Sequence, residues 1–137
     1  MRRINKLIVH CSATPEGRDI KTETIRGWHV NDNHWSDIGY HYVIELDGSI
    51  HTGRPESVIG AHCLGQNANS IGICYVGGLT KDGKAPKDTR TDAQKQALIE
   101  LLKSLKEKYP NATIHGHREF AAKACPCFDA KNEYKNL

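Results

Sequence analysis

Residues 115–127 read His-Gly-His-Arg-Glu-Phe-Ala-Ala-Lys-Ala-Cys-Pro-Cys. Two histidines, two cysteines, a lysine and a glutamate share these thirteen residues, and the proline between the cysteines interrupts regular structure. Such a segment has few apolar groups with which to hold one shape. A metal ion supplies what is missing, because each ligand bond stands in for a packing contact. The expectation is a zinc site in which His117 and Cys125 are joined by a histidine from elsewhere in the chain.

The remainder of the chain is read by periodicity. Leu7, Ile8 and Val9 form a continuous apolar run, the mark of a buried strand over residues 6–11. That strand ends in His10-Cys11-Ser12-Ala13-Thr14, where polar side chains either face a site or, in the case of His10, satisfy themselves in the core. Thr22 is placed to cap a helix over residues 22–31, with Ile25, Trp28 and His29 on its inner face. Trp35 sits in the next loop and lines a groove or covers the core edge. Residues 40–46 alternate as a strand, Asp47-Gly48 supplies a tight turn, and residues 49–53 return. Residues 58–69 read as loop, and residues 70–76 as a further apolar strand with Cys74 as a small buried hydrophobe. Residues 77–90, rich in Gly, Lys and Asp, read as an exposed connection. Thr91 and Gln94 form a capping box for a helix whose stripe is Ala97, Leu98, Leu101, Leu102 and Leu105. Tyr109-Pro110 ends it. Residues 112–114 form a short strand that delivers His115 and His117, and the residues beyond Phe128 close the chain as a turn or short helix. Strand, helix, hairpin, strand, helix, strand predicts an α/β fold: a central mixed β-sheet flanked by helices, in one domain over residues 1–137.

Composition narrows the function classes. A net charge of +3 is too weak to argue for nucleic acid and suits an anionic polymer only as a tendency. No apolar run approaches the roughly 20 residues of a membrane span. The apolar run after the basic start is only Leu7 to Val9, too short for a signal peptide, so synthesis in the cytoplasm is expected. Five cysteines, an odd number without framework spacing, fit reduced thiols better than disulfides.

For the third ligand, the end of the first strand offers His10. Catalytic zinc sites keep three protein ligands and leave a further position for water or substrate. Lys123, two residues before Cys125, must lie near such an ion. With Tyr40 it is a candidate donor to a developing oxyanion or a leaving nitrogen. Glu119 either orients a histidine or pairs with Arg118. Spacing leaves rivals: Cys127 for Cys125, and His115 for His117. There is no HExxH and no CxxC pair, and a cysteine nucleophile at Cys125 or Cys11 is a different chemistry open to the same residues.

Four segments carry a resemblance: Val9-His10-Cys11-Ser12-Ala13-Thr14, Asp37-Ile38-Gly39-Tyr40-His41-Tyr42, Asn69-Ser70-Ile71-Gly72-Ile73-Cys74 and Lys123-Ala124-Cys125-Pro126. In that order they resemble the signature segments of type 2 N-acetylmuramoyl-L-alanine amidases. That family includes phage endolysins and bacterial wall amidases and is related to the peptidoglycan recognition proteins. The likeness runs from about Leu7 to Asp129. It implies a mixed sheet with a zinc-containing groove, with His10, His117 and Cys125 as ligands of Zn2+. It matches Tyr40 and Lys123 to positions that assist catalysis, and His62, in Gly60-Ala61-His62, to a groove residue near substrate. The implied reaction cleaves the amide between N-acetylmuramic acid and L-alanine, and the implied partner is peptidoglycan or a muropeptide bound by a monomer. The alternative it leaves is a non-catalytic muropeptide-binding module of the same fold.

Overall fold

Strand β1 (Lys6–Cys11) lies inside the sheet because Leu7, Ile8 and Val9 are apolar toward both faces, and all three are fully buried. It pairs in parallel with β5 (Ser70–Tyr75) on one side and β7 (Thr113–Gly116) on the other. On its far side β5 pairs in parallel with β3 (Tyr42–Ile44), which forms an antiparallel hairpin with the edge strand β4 (Ile50–Thr52). The computed structural model, which describes residues 2–137, therefore holds a five-stranded mixed sheet in the order β4-β3-β5-β1-β7. A short parallel pair, β2 (Thr14–Pro15) with β6 (Gly78–Leu79), extends beyond the ends of β1 and β5. No helix among the described residues is long and apolar enough to cross a membrane.

Strand alternation sorts the residues into two layers. Leu7, Val9, Cys11, Ile71, Ile73 and Tyr75 pack against Leu98, Leu102 and Leu105 of helix α2 (Asp92–Lys108) in the larger core. The opposite face holds a smaller core of Ile25, Ile38, Val43, Cys74 and Val76. His10, one residue out of phase with Val9 and Cys11, belongs to that opposite face and is fully buried.

Helix α2 starts as expected: the Gln94 N–H donates to Thr91 Oγ1 at 3.1 Å, and the Thr91 N–H donates to Gln94 Oε1 at 2.9 Å. Elsewhere the structure differs from the sequence reading. Helix α1 (Thr22–Gly27) runs into one π-helical turn, Trp28–Asp32. Its N-cap is Lys21, and the backbone N–H and hydroxyl of Thr22 both donate to Glu45 at 2.8 and 2.7 Å. A carboxylate from the end of β3 thus serves the helix start in place of the Thr22 side chain. Trp28 is 39% exposed and lies outside the inner face. In the hairpin only Gly48 takes a positive φ, +86°. Bonds from Gly48 N–H to Glu45 O and from Glu45 N–H to Ser49 O make a three-residue loop, with glycine at the left-handed position. Residues 77–90 are exposed only in part, because they contain β6 and end in the buried pair Thr89 and Arg90.

Candidate metal centre and groove

Parallel pairing of β1 and β7, in register to Val9 opposite Gly116, releases His10 and His117 side by side at the carboxyl edge of the sheet. Their ring centroids lie 4.5 Å apart. After His117 the chain makes a 3-10 turn, His117–Glu119, and folds back. This return brings Cys125 Sγ to 3.9 Å from His10 Nδ1, where the sulfur also accepts the Cys11 N–H at 3.2 Å. One ligand atom each from His10, His117 and Cys125 all lie within 4.8 Å of one another. A tetrahedral ion with bonds of about 2.0–2.3 Å holds its ligand atoms about 3.5 Å apart, so a small contraction closes the set.

The donor chemistry fits zinc. Burial, then His62, His117 and Lys123, hold His10 well below the usual imidazole range. Burial and then Lys123 lower His117 as well. Both rings are therefore neutral at neutral pH and carry the lone pairs that a metal needs. Two imidazoles and a thiol, with no acidic oxygen among them, are a borderline-soft set.

Protein contacts hold the segment as well, contrary to the argument from its composition. Tyr75 Oη donates to Pro126 O at 2.7 Å, and Phe128 is buried in the larger core. Gly116 admits Pro126 because a Cβ there would meet Pro126 Cδ at 2.9 Å. Glu119 accepts the Gly116 N–H at 2.8 Å and pairs with His115 Nδ1 at 2.8 Å; its partner is not Arg118. The other nitrogen of His115 contacts Thr113 Oγ1 at 2.6 Å. Both nitrogens of His115 are thus occupied, and it stands outside the cluster. Cys127 also stands outside: its thiol donates to Gly78 O at 3.2 Å and lies 3.9 Å from Cys11 Sγ. Hydrogen bonding to Cys125 and burial push the Cys11 thiol far up, which leaves it without the thiolate that a nucleophile requires.

A cleft of about 560 Å³ opens beside the three residues, lined by Trp35, His62, Leu64, His117, Phe120 and Lys123. Trp35 is thus a groove residue. Lys123 stands exposed on the wall, near enough for its charge to act on both His10 and His117. The Tyr40 ring centroid is 5.3 Å from that of His10. Burial, then the thiols of Cys74, Cys125 and Cys11, push the Tyr40 phenol well above its usual range, so it remains an O–H donor. His62 lines the cleft with one edge but is buried, and its Nδ1 lies 2.8 Å from His10 Nε2.

Two contributors were not singled out from the sequence. Ser70, fully buried at the start of β5, contacts His62 Nε2 at 3.1 Å. Gly72 gives the His62 ring its place, since a Cβ at 72 would come 2.5 Å from His62 Cγ. The available signal was a glycine inside the branched run Ser-Ile-Gly-Ile-Cys, which marks close approach of another group.

Known proteins share this arrangement of chain. The family model described as N-acetylmuramoyl-L-alanine amidase matches residues 1–128. The endolysin of Escherichia phage T7 is 45% identical over 125 residues, which cover 91% of this chain and 82% of that protein. Peptidoglycan-recognition protein SC2 of Drosophila melanogaster is 31% identical over 116 residues, 82% of this chain and 60% of that one. Among solved structures, the N-acetylmuramoyl-L-alanine amidase LysC from Clostridium intestinale superposes with a TM-score of 0.79 at 29% identity, covering 96% of this chain and 82% of that one. With the family match spanning nearly the whole length and the fold agreeing with it, the chain belongs to the N-acetylmuramoyl-L-alanine amidase family.

Proposed function

We propose that this protein is a zinc-dependent N-acetylmuramoyl-L-alanine amidase. It hydrolyses the amide that joins the lactyl group of N-acetylmuramic acid to the L-alanine of the stem peptide. The observation that carries this reading is the convergence of one ligand atom each from His10, His117 and Cys125 within 4.8 Å beside a substrate-sized cleft that His117 lines. Those three residues hold Zn2+. Zinc bound there supplies a Lewis acid for the acyl oxygen and lowers the pKa of water near neutrality.

The chain's own residues do the rest. The Cys11 N–H fixes the Cys125 sulfur, and burial keeps both histidines neutral. Lys123, on the cleft wall, donates from its ammonium to negative charge developing on the acyl oxygen, and Tyr40, whose ring lies beside that of His10, is assigned as the second donor. Trp35, Leu64 and Phe120 cover the apolar side of a muropeptide and exclude water. Residues 1–137 act as one catalytic domain and as a monomer on peptidoglycan or its fragments, with no call on nucleic acid or membrane.

The likeness to a recognition protein favours one other reading, a module that holds muropeptide without cutting it. Retention of the complete ligand set supports the enzyme. Metal analysis of the purified protein, paired with hydrolysis assays before and after chelation, separates the two. One zinc per chain, with activity lost on chelation and restored by zinc, is expected. Muropeptide binding with no hydrolysis in the zinc-loaded protein would establish the module. Activity lost to thiol alkylation but not to a chelator would point to a cysteine nucleophile.

A further inference from the structure

His62 lines the groove, and the family likeness would give it to substrate. Its contacts give it to something else. Both of its ring nitrogens are spent inward, Nδ1 at 2.8 Å from His10 Nε2 and Nε2 at 3.1 Å from Ser70 Oγ. Neither is left to reach a substrate in the cleft. We infer that His62 and Ser70 are positioning residues for the zinc ligand His10, fixing its tautomer and ring orientation through a buried hydrogen-bond chain. The inference rests on the metal centre proposed above and deepens it.

The chain of donors follows from one requirement. His10 turns Nδ1 toward Cys125, so a metal bound there needs the lone pair of that nitrogen. A neutral imidazole has one ring proton, which then sits on Nε2. That N–H points at His62 Nδ1, which must accept. The single proton of His62 is thereby placed on Nε2, where Ser70 Oγ receives it. Each step leaves the next no choice.

The surroundings hold the chain in place. Asn67 Oδ1 accepts the backbone N–H groups of both His62 and Cys63, each at 2.9 Å, and this fixes the loop that carries the ring. Gly72 leaves room for the ring on β5. Ser70 is fully buried and His62 is 8% exposed, so water does not compete for either bond. Partners of this kind around a metal-bound histidine typically carry 10–100-fold in metal affinity.

The test is zinc affinity, measured by competition with a chelating dye on purified full-length protein at neutral pH, independently of hydrolysis. His62→Ala should weaken zinc binding about 10–100-fold. In His62→Asn the side-chain Oδ1 stands where Nδ1 stood, so it should recover most of that loss. His62→Gln carries its amide out toward Ser70, and should behave like His62→Ala. Ser70→Ala should weaken zinc in the same direction, by less. A recovery by Asn and not by Gln is a pattern that a merely structural role would not produce. Thermal unfolding of the zinc-free variants reports folding, and if His62→Ala is unfolded the Asn, Gln and Ser70 variants carry the comparison. Wild-type zinc affinity in all of them, with a raised KM for muropeptide in His62→Ala, would overturn the inference and return His62 to substrate. Failure of the wild type itself to bind zinc would instead overturn the metal centre.

Discussion

Lys123 contributes no ligand atom, yet its charge reaches both histidines of the cluster. Its removal should therefore separate binding from turnover. Lys123→Ala is expected to keep its zinc and to lose about 100-fold in kcat; an unchanged rate would remove it from the chemistry. Cys125→Ser and His117→Ala should lose zinc and hydrolysis together, as read by metal analysis beside the activity assay. At this scale residue spacing showed which residue types converge but not which copy of each; only the family resemblance singled out His117 over His115 and Cys125 over Cys127. His115 and His117 differ only in their partners, and Glu119, which occupies His115, is an equally plausible orienting group for either by spacing. Cys127 is claimed by Gly78, 49 residues away, a contact that no local pattern announces. Ser70 and His62 are coupled through a close approach to Gly72 that only the folded sheet creates.

Among the elements, helix α2 was the most legible, because its signals are local. The capping box lies within four residues, and the apolar stripe repeats at helical spacing. Its tie to the sheet is not local. Gln94 is fully buried, and its Nε2 donates to Ile44 O at 3.3 Å and Val76 O at 3.0 Å, at the ends of β3 and β5. Thr91→Ala should cost about 1 kcal/mol. Gln94→Leu should cost more, about 2–3 kcal/mol, because the Val76 carbonyl loses its Gln94 donor and the Thr91 N–H loses its acceptor, while Ile44 O keeps the Val76 N–H at 3.0 Å. Urea denaturation of the two variants checks the order, and equal losses would reduce Gln94 to a cap. Helix α1 was less legible, since the group at its start, Glu45, lies 23 residues on in the chain. The π turn after it also rotates Trp28 away from the face that helical spacing assigns.

For the molecule as a whole, a mixed sheet with helices on it could be read from the order of elements. The strand order could not, because parallel neighbours such as β1 and β5 are joined only through long crossovers. Arg90, read as the end of an exposed loop, is in fact a buried clamp. It stacks 3.4 Å over Phe128 and bonds to Asp88, Glu133 and Tyr134, tying the approach to α2 to the short helix α3 (Ala130–Glu133) that follows Cys125. The Arg90 hydrogen bond holds Glu133 below the usual carboxylate range. Burial pulls Asp88 upward, but Arg90 outweighs it and the net shift is also down. Carboxylates depressed in the folded state stabilise it fully above their unfolded pKa, about 4, and lose that contribution as pH falls through the folded values. Arg90→Met should thus be less stable near neutral pH. The loss should be about 2 kcal/mol, because the two carboxylates are 32% and 44% exposed and solvent screens them. Below about pH 4 the wild type should lose stability more steeply than the variant. Parallel curves would show that the guanidinium contributes packing alone.

The central claim is that two histidines and a cysteine, drawn from opposite ends of the chain, hold the zinc of an amidase. Mass analysis of peptidoglycan digested by the zinc-loaded protein, with and without a chelator, tests it most directly. The account predicts stem peptides released with a free L-alanine amino terminus, and glycan left with free lactyl carboxylates. Both products should vanish on chelation and return with zinc. Intact lactyl–alanine bonds, or the same cleavage undiminished by the chelator, would contradict it.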